Sequence, residues 1–327
     1  MIHGHGDDAY QYDDIRSDFS SNICTPFHQH EALRKHLFLH PELITHYPEP
    51  EAWTLEAMIA ERHGIDPRCV IVTSGATEAI YLIAQTFRMK HVVPATSFSE
   101  YDDAIRLFPP QDLTHTAIWL CNPNNPTGRV TPRNVLGEMV RNYDLVIIDQ
   151  SYEHYTHRHI LSAKAALRHG NIVQIHSMTK TYAVPGLRLG YIVTSRRHAA
   201  ALRRQMRPWS VSALAIEAGK FLLRHDELIC HPDHSEVLRL QKRLSEIEGV
   251  SVLPTDTNFM LCQLDVSTAA VLKEHLAQEH KMLIRDASNF RGLTPRHFRI
   301  AAQTPEENDA LVEAIKQFMD SKNNKKQ

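Results

Sequence analysis

The sequence predicts an α/β protein: a large three-layer domain around a mostly parallel sheet, followed by a smaller α+β domain. Three observations carry this expectation. Between about residues 50 and 205, short β-branched runs alternate with helical patterns, as in a parallel sheet covered by helices on both faces. After Trp209 the alternation gives way to long helical stretches and one strand pair. A chain of 327 residues with 43% apolar content can also bury two cores of ordinary size. The division expected is an N-terminal arm over 1–35 that joins the small domain, a large domain over 36–208, a small domain over 209–320 and a disordered tail over 321–327.

Strands of the large domain are read at Cys69–Thr73, His91–Val93, Ala117–Cys121, Leu145–Ile148, Ile172–Ile175 and Leu189–Val193. Thr131-Pro132 reads as the cap and first-turn proline of a helix, in which Val135, Leu136, Met139 and Val140 recur at helical spacing as a core stripe. Beyond Trp209, Ala213–Arg224 and His234–Ile247 read as helices, and Val250–Leu253 and Phe259–Leu264 as a strand pair. Thr304-Pro305-Glu306-Glu307 is a capping box that opens a last helix with Leu311, Ile315 and Phe318 turned inward.

A net charge of -2 and a pI near 6.9 argue against general attraction to nucleic acid or acidic membranes, and no apolar run approaches the ~18 residues of a membrane span. A small-molecule partner is expected. Five scattered cysteines without a CxxC pair point to reduced thiols, and the polar start resembles no secretory leader, so a cytoplasmic protein is expected. Two histidine-rich segments, 154–159 and 230–234, invite a metal reading. Neither has metal-ligand spacing, so exposed loops and no metal are expected.

The chemistry centres on residues 176–191. Lys180 stands between Ser177 and Arg188 at offsets that allow the amine to condense with the aldehyde of pyridoxal 5'-phosphate (PLP) while the hydroxyl and guanidinium reach its phosphate. An ordinary lysine after a strand is the plain alternative. Gly75-Ala76-Thr77 ends a strand and opens a helix, so its amides suit a phosphate, although such a turn is also simply a good helix start. Asp149 closes an apolar run and should lie at the C-terminal edge of a central strand, where a protonated pyridine nitrogen would be its partner; a helix cap is the alternative. Tyr152 can offer its phenol to the cofactor 3'-oxygen. Asn125, in a turn-forming Asn-Pro-Asn-Asn-Pro-Thr-Gly stretch, can bond that oxygen or a substrate carboxylate. Arg285 and Arg299 sit among apolar neighbours, where each should hold an anion or a structural ion pair.

Taken in order, Tyr47-Pro48, Gly75-Ala76-Thr77-Glu78, Asn125-Pro126-Thr127-Gly128, Asp149 with Tyr152, Ser177-x-x-Lys180, Arg188 and Arg299 resemble the fold-type I PLP enzymes, the aspartate aminotransferase superfamily, over nearly the whole chain. Within it the stretches 205–215 and 284–293, and the early His3-Gly4-His5-Gly6 and Phe19–Ile23 elements, are most similar to the threonine-phosphate decarboxylases, and next to the histidinol-phosphate aminotransferases. The resemblance implies PLP as cofactor and a phosphorylated amino acid as substrate, L-threonine O-3-phosphate being decarboxylated to (R)-1-aminopropan-2-yl phosphate in cobalamin biosynthesis. Amino transfer, or PLP binding without turnover, are the alternatives. It also implies that Phe98 stacks on the pyridine ring, that Arg299 takes the substrate carboxylate, and that Arg285, Asn22 and His5 line the substrate side. Tyr47 is implied to reach the cofactor phosphate of a neighbouring subunit, hence a homodimer with shared active sites. Two departures stand out. Asp149-Gln150-Ser151-Tyr152 replaces the family's Asp-Glu-Ala-Tyr, and the interval Asp102–Cys121 is too short for a full crossover of ~30 residues, so an element should be missing at one edge.

Overall fold

A computed structural model describes residues 8–24 and 30–323. In chain order the elements are β1 (Ser17–Asp18), α1 (His30–Phe38), α2 (Trp53–His63), β2 (Val70–Thr73), α3 (Gly75–Thr86), β3 (Met89–Val92), α4 (Glu100–Leu107) and β4 (Asp112–Cys121). There follow α5 (Arg133–Asn142), β5 (Leu145–Asp149), α6 (Ala163–Leu167), β6 (Ile172–Ser177), α7 (Met178–Thr181), β7 (Gly190–Thr194), α8 (Arg196–Arg203) and α9 (Ala213–Leu223). The C-terminal part holds α10 (His234–Ser245), β8 (Val250–Val252), β9 (Phe259–Leu264), α11 (Ala269–His280), β10 (Met282–Leu283), β11 (Arg285–Asp286), β12 (His297–Ala301) and α12 (Pro305–Asn323).

Six strands form one sheet in the order β2-β7-β6-β5-β4-β3, parallel from β3 to β6, with β7 antiparallel to both its neighbours. Side chains on successive strand residues point to opposite faces, so each central strand must be apolar on both. Ile147, Val173, Ile175 and Ile192 pack beneath α3, α4 and α8. On the other face, Val70, Val72 and Val193 meet α2 and α9, while Ile118, Val146 and Ile148 meet α5 and α6. The expected three layers are present. Between β3 and β4 there is only the eight-residue α4, and β3 is left as the sheet edge. The helix after β4 starts at Arg133 with Pro132 as its N-cap, and no side chain caps it, so the capping role expected of Thr131 is corrected. Thr131 instead donates its amide to the Asn122 side chain.

A second core lies between α10, α11 and α12 and the antiparallel sheet β11-β12-β9-β8. The capping box at its last helix forms reciprocally, Thr304 Oγ1 accepting from the Glu307 amide and the Glu307 carboxylate accepting from the Thr304 amide. Phe19 enters this core, and β1 pairs in parallel with β10, which ties the N-terminal arm to the C-terminal layer. The boundary expected at residue 209 is moved by the packing. Val211, Ala215, Ile216, Leu222 and Leu228 belong to the core shared with α2, and the C-terminal core starts with Val237. The reason is that α9 presents its apolar face to Leu55 of α2, with Gly219 close against that side chain. Helix α12 runs to Asn323, past the expected start of the tail at 321; residues 324–327 lie outside the described chain.

Candidate active site

Parallel strands bring their C-terminal ends to one edge of a sheet, which is where α/β proteins keep ligands. Here β4, β5 and β6 end at Cys121, Asp149 and Ser177, and the register pairs Cys121 directly with Asp149. The antiparallel β7 adds a second convergence. Its first residue, Gly190, pairs with Ser177 on one side and Thr73 on the other, which sets the start of α3 beside the end of β6. That approach needs a glycine: a Cβ on Gly190 would lie 2.8 Å from the Ala76 amide nitrogen. Gly75, with φ +83°, allows equal closeness on the other side, since a Cβ there would meet Arg188 Nη2 at 2.6 Å. The first-turn amides of the 12-residue α3, the Ser177 hydroxyl and the Arg188 guanidinium therefore meet in one place suited to a dianion.

These groups line a cavity of about 220 Å³ together with Phe98, Asn125, Asp149, Tyr152, Lys180, Arg285, Phe290 and Arg299. Its floor is the strand-end edge of the large sheet; its roof is the C-terminal sheet. On β12, Phe298 and Ile300 point into the C-terminal core, so Arg299 between them must point the other way, towards the cavity. Arg285 is its direct antiparallel partner, and opposite residues share a face. Two guanidiniums, each 4% exposed, thus stand side by side. Burial pulls both pKa values down to about 10, and for Arg285 the charge of Arg299 adds to the effect. Arg299 Nη1 donates to Asn125 Oδ1 at 2.6 Å and Nη2 to the Ser20 carbonyl, while its Nε has no acceptor. Arg285 donates to Asn289 Oδ1 at 2.9 Å and lies over the Phe290 ring. Neither forms an ion pair among the described residues, which leaves two buried cations awaiting anions.

Asp149 is the complement. Burial raises its pKa, opposed by hydrogen bonds from Ser151 Oγ (2.6 Å), Tyr101 Oη (2.8 Å) and the Ser151 amide (2.9 Å). No cation pairs with it among the described residues. A buried carboxylate, three donors at a helix N-terminus and an amine in one cavity fit a phosphorylated pyridine aldehyde: the phosphate in the cup at α3, the ring nitrogen at Asp149, the aldehyde at Lys180. Lys180 Nζ donates to the Ser21 carbonyl at 2.7 Å. The Tyr152 hydroxyl accepts from the amides of Asn22 (3.4 Å) and Asn125 (3.5 Å), and burial pushes its pKa up to about 12 against the pull of Arg299.

Of the residues singled out in the sequence, Ala76, Thr77, Phe98, Asn125, Asp149, Tyr152, Ser177, Lys180, Arg188, Arg285 and Arg299 line the cavity, and Gly75 shapes its edge. Asn22 is fully buried behind it, reaching Tyr152 and leaving its Oδ1 without a partner. Tyr47 is not in this cavity: it is 87% exposed beside Trp209. His5 lies outside the described residues. Sequence reading passed over Tyr101, which bonds Asp149 and stacks on Trp119 at 5.0 Å, and Ser151, noted only as a departure. Tyr101 sits three residues after Phe98, at the start of α4, a spacing that could have drawn attention to it. Ser20 and Ser21 act through main-chain carbonyls, which carry no residue signal.

The family profile for class I and II aminotransferases matches residues 98–315. The threonine-phosphate decarboxylase of Salmonella typhimurium is 28% identical, over 92% of this chain and 91% of that protein. Histidinol-phosphate aminotransferase 2 of Archaeoglobus fulgidus is 27% identical over 92% of both. Among solved structures, that of L-threonine-O-3-phosphate decarboxylase from Porphyromonas gingivalis superimposes with a TM-score of 0.88 at 35% identity, over 93% of this chain and 100% of the other. Among the described residues, no helix is long and apolar enough to cross a membrane.

Proposed function

The chain belongs to the class I and II aminotransferase family, and we propose that it is a PLP-dependent decarboxylase that converts L-threonine O-3-phosphate to (R)-1-aminopropan-2-yl phosphate, a step of cobalamin biosynthesis. The observation that carries the substrate is the pair Arg285 and Arg299, two buried guanidiniums facing one cavity from one sheet. Threonine phosphate has two anionic ends, a carboxylate and a phosphate, on adjacent carbons. The 35% identity to a structure described as a threonine-phosphate decarboxylase supports the same substrate.

When bound, the cofactor supplies an aldehyde that an amine can hold covalently and a ring that accepts the electron pair released at Cα. In this reading Ala76, Thr77, Ser177 and Arg188 hold its phosphate, Phe98 covers the ring, Asp149 keeps the ring nitrogen protonated, and Tyr152 with Asn125 meets the 3'-oxygen. Lys180 is the amine that anchors the aldehyde until the substrate amine takes its place. Arg299 takes the substrate carboxylate and Arg285 the phosphate, with Asn22 fixing Tyr152. By holding both ends, Arg299 and Arg285 would orient the substrate so that the Cα–carboxylate bond is the one to break, with carbon dioxide leaving. Lys180 then returns a proton to Cα. The exposure of Tyr47 supports its use at the cofactor phosphate of a second copy, in a homodimer.

Amino transfer is the second reading, because the same residues would serve it if Cα–H stood upright and Lys180 removed that proton, and because a histidinol-phosphate aminotransferase is 27% identical. Incubation with threonine phosphate, read as carbon dioxide release, tests the proposal against glutamate and imidazole-acetol phosphate, read as amino transfer. Transfer without gas release discards the decarboxylase, and a yellow protein inert to both discards turnover altogether.

A further inference from the structure

A cluster away from the cavity has no role in the chemistry above. His36 and His40, at the end of α1, and Glu217 on α9 each bring one ligating atom to within 4.8 Å of the others. His36 Nε2 lies 2.9 Å from Glu217 Oε1, and the two imidazole rings are 4.8 Å apart. We propose that these three side chains form a site for a divalent transition metal of the zinc type, with a water in the fourth position.

Two imidazoles and one carboxylate are a ligand set that suits zinc, and the chain just past α1 brings the His40 ring within 4.8 Å of the His36 ring. Tetrahedral ligands at ~2.0–2.1 Å from the ion stand about 3.3 Å from one another, so the His36–Glu217 pair needs to open by only a few tenths of an ångström. The surroundings are those of a built site. Glu42 accepts from His40 Nδ1 at 2.9 Å, an outer carboxylate that fixes the tautomer and leaves Nε2 for the ion. Phe221 stacks on the His36 ring at 4.6 Å and holds its plane. Lys220 binds Glu217 Oε2 at 2.6 Å, which leaves Oε1 to ligate, although its charge lowers the affinity for a cation. Glu42 and Glu217 also border a second cavity of about 220 Å³, whose wall carries Glu49, His46 and Lys220 as well. The expectation of no metal rested on residues 154–159 and 230–234; the spacing of His36 and His40 gained meaning only when α9 brought Glu217 beside it. A bound ion would pin the 39–47 segment, which carries Tyr47, to α9.

Cobalt(II) is the probe, titrated into the PLP-loaded protein and followed by its visible ligand-field absorption and by the melting temperature. One Co²⁺ per chain is expected, displaced by Zn²⁺, with a rise in melting temperature. His36→Ala and Glu217→Gln should lose the signal, and Glu42→Gln should weaken binding about 10–100-fold. His40→Gln changes a half-exposed residue beyond the helix, and retained cofactor absorbance shows that this variant is folded. His157→Asn, in the separate pair where His157 and His234 rings stand 4.0 Å apart, should leave the signal intact. Absence of the cobalt spectrum in the unaltered protein, its full retention in His40→Gln and Glu217→Gln, or its loss in His157→Asn would each overturn the proposal.

Discussion

The floor and the roof of the cavity are built by different means. The floor at β4, β5, β6 and α3 is set by where parallel strands end and by two glycines that let main chain approach main chain. Its key groups come from short contiguous motifs. The roof is set by register: Arg285 and Arg299, 14 positions apart, face the cavity because they are direct partners on one antiparallel pair and alternate with core residues. The floor is dominated by main-chain geometry and one carboxylate, and the roof by two cations. On the proposed function, what this teaches is a division of labour, with the floor placing the cofactor and the roof orienting the substrate.

That division can be broken or sharpened by mutation. The largest effect is expected in the floor, where Lys180→Ala should lower carbon dioxide release by at least ~10³-fold and leave no pyridoxyl label after borohydride reduction. A label on another lysine would end the assignment. In the roof, Arg299→Ala should cost about 2–5 kcal/mol in kcat/KM, the range for stripping a partner from a desolvated charge. Arg285→Ala should instead narrow the preference for threonine phosphate over threonine; equal losses on both substrates would show that the roof does not sort the two anions. Gly190→Ala is predicted to destabilise the fold by about 1–3 kcal/mol and to weaken PLP binding, read by thermal melting and cofactor dialysis, because its Cβ must displace main chain. Unchanged PLP affinity would separate the glycine from the phosphate cup.

The smallest effect concerns acid stability beneath the floor. Burial alone would raise the Glu153 carboxyl, but His176, 2.7 Å away, with His154 and His63 behind it, outweighs this and holds it at about 2, below its ordinary 4.5. A depressed carboxylate contributes stability above the unfolded value and loses it as pH falls through the folded one, so the window is pH 4.5 down to about 2. Glu153→Gln should remove on the order of 1–2 kcal/mol of pH dependence there. Denaturation curves of equal slope for both proteins across that window would refute the assignment.

Most of the floor was legible in the sequence because its residues lie within single strand-to-helix junctions: the apolar run before Asp149 already says which end of a strand it occupies, and Ser177, Lys180 and Arg188 share one segment. Arg285 and Arg299 could be named as anion holders, but nothing local says that they pair across a register. Other features were hidden for physical reasons. A carbonyl such as that of Ser21 is the same in every residue, so its bond to Lys180 leaves no trace in composition. The membership of α9 was misjudged because an apolar helical face does not say which partner covers it, and here Leu55 does. Tyr101 belongs to no motif of its own, and its stacking on Trp119 gives it an ordinary core role beside its bond to Asp149.

The arm that runs through β1 has a consequence for how the molecule is made. Ser20 and Ser21 give their carbonyls to Arg299 and Lys180, across 279 and 159 positions of chain, and β1 finds its pairing partner only at Met282–Leu283. During synthesis this arm must therefore wait, uncommitted, until residues 282–299 have emerged. The chamber is sealed only then, and a nascent chain halted before residue 282 would hold a finished floor with nothing to close it.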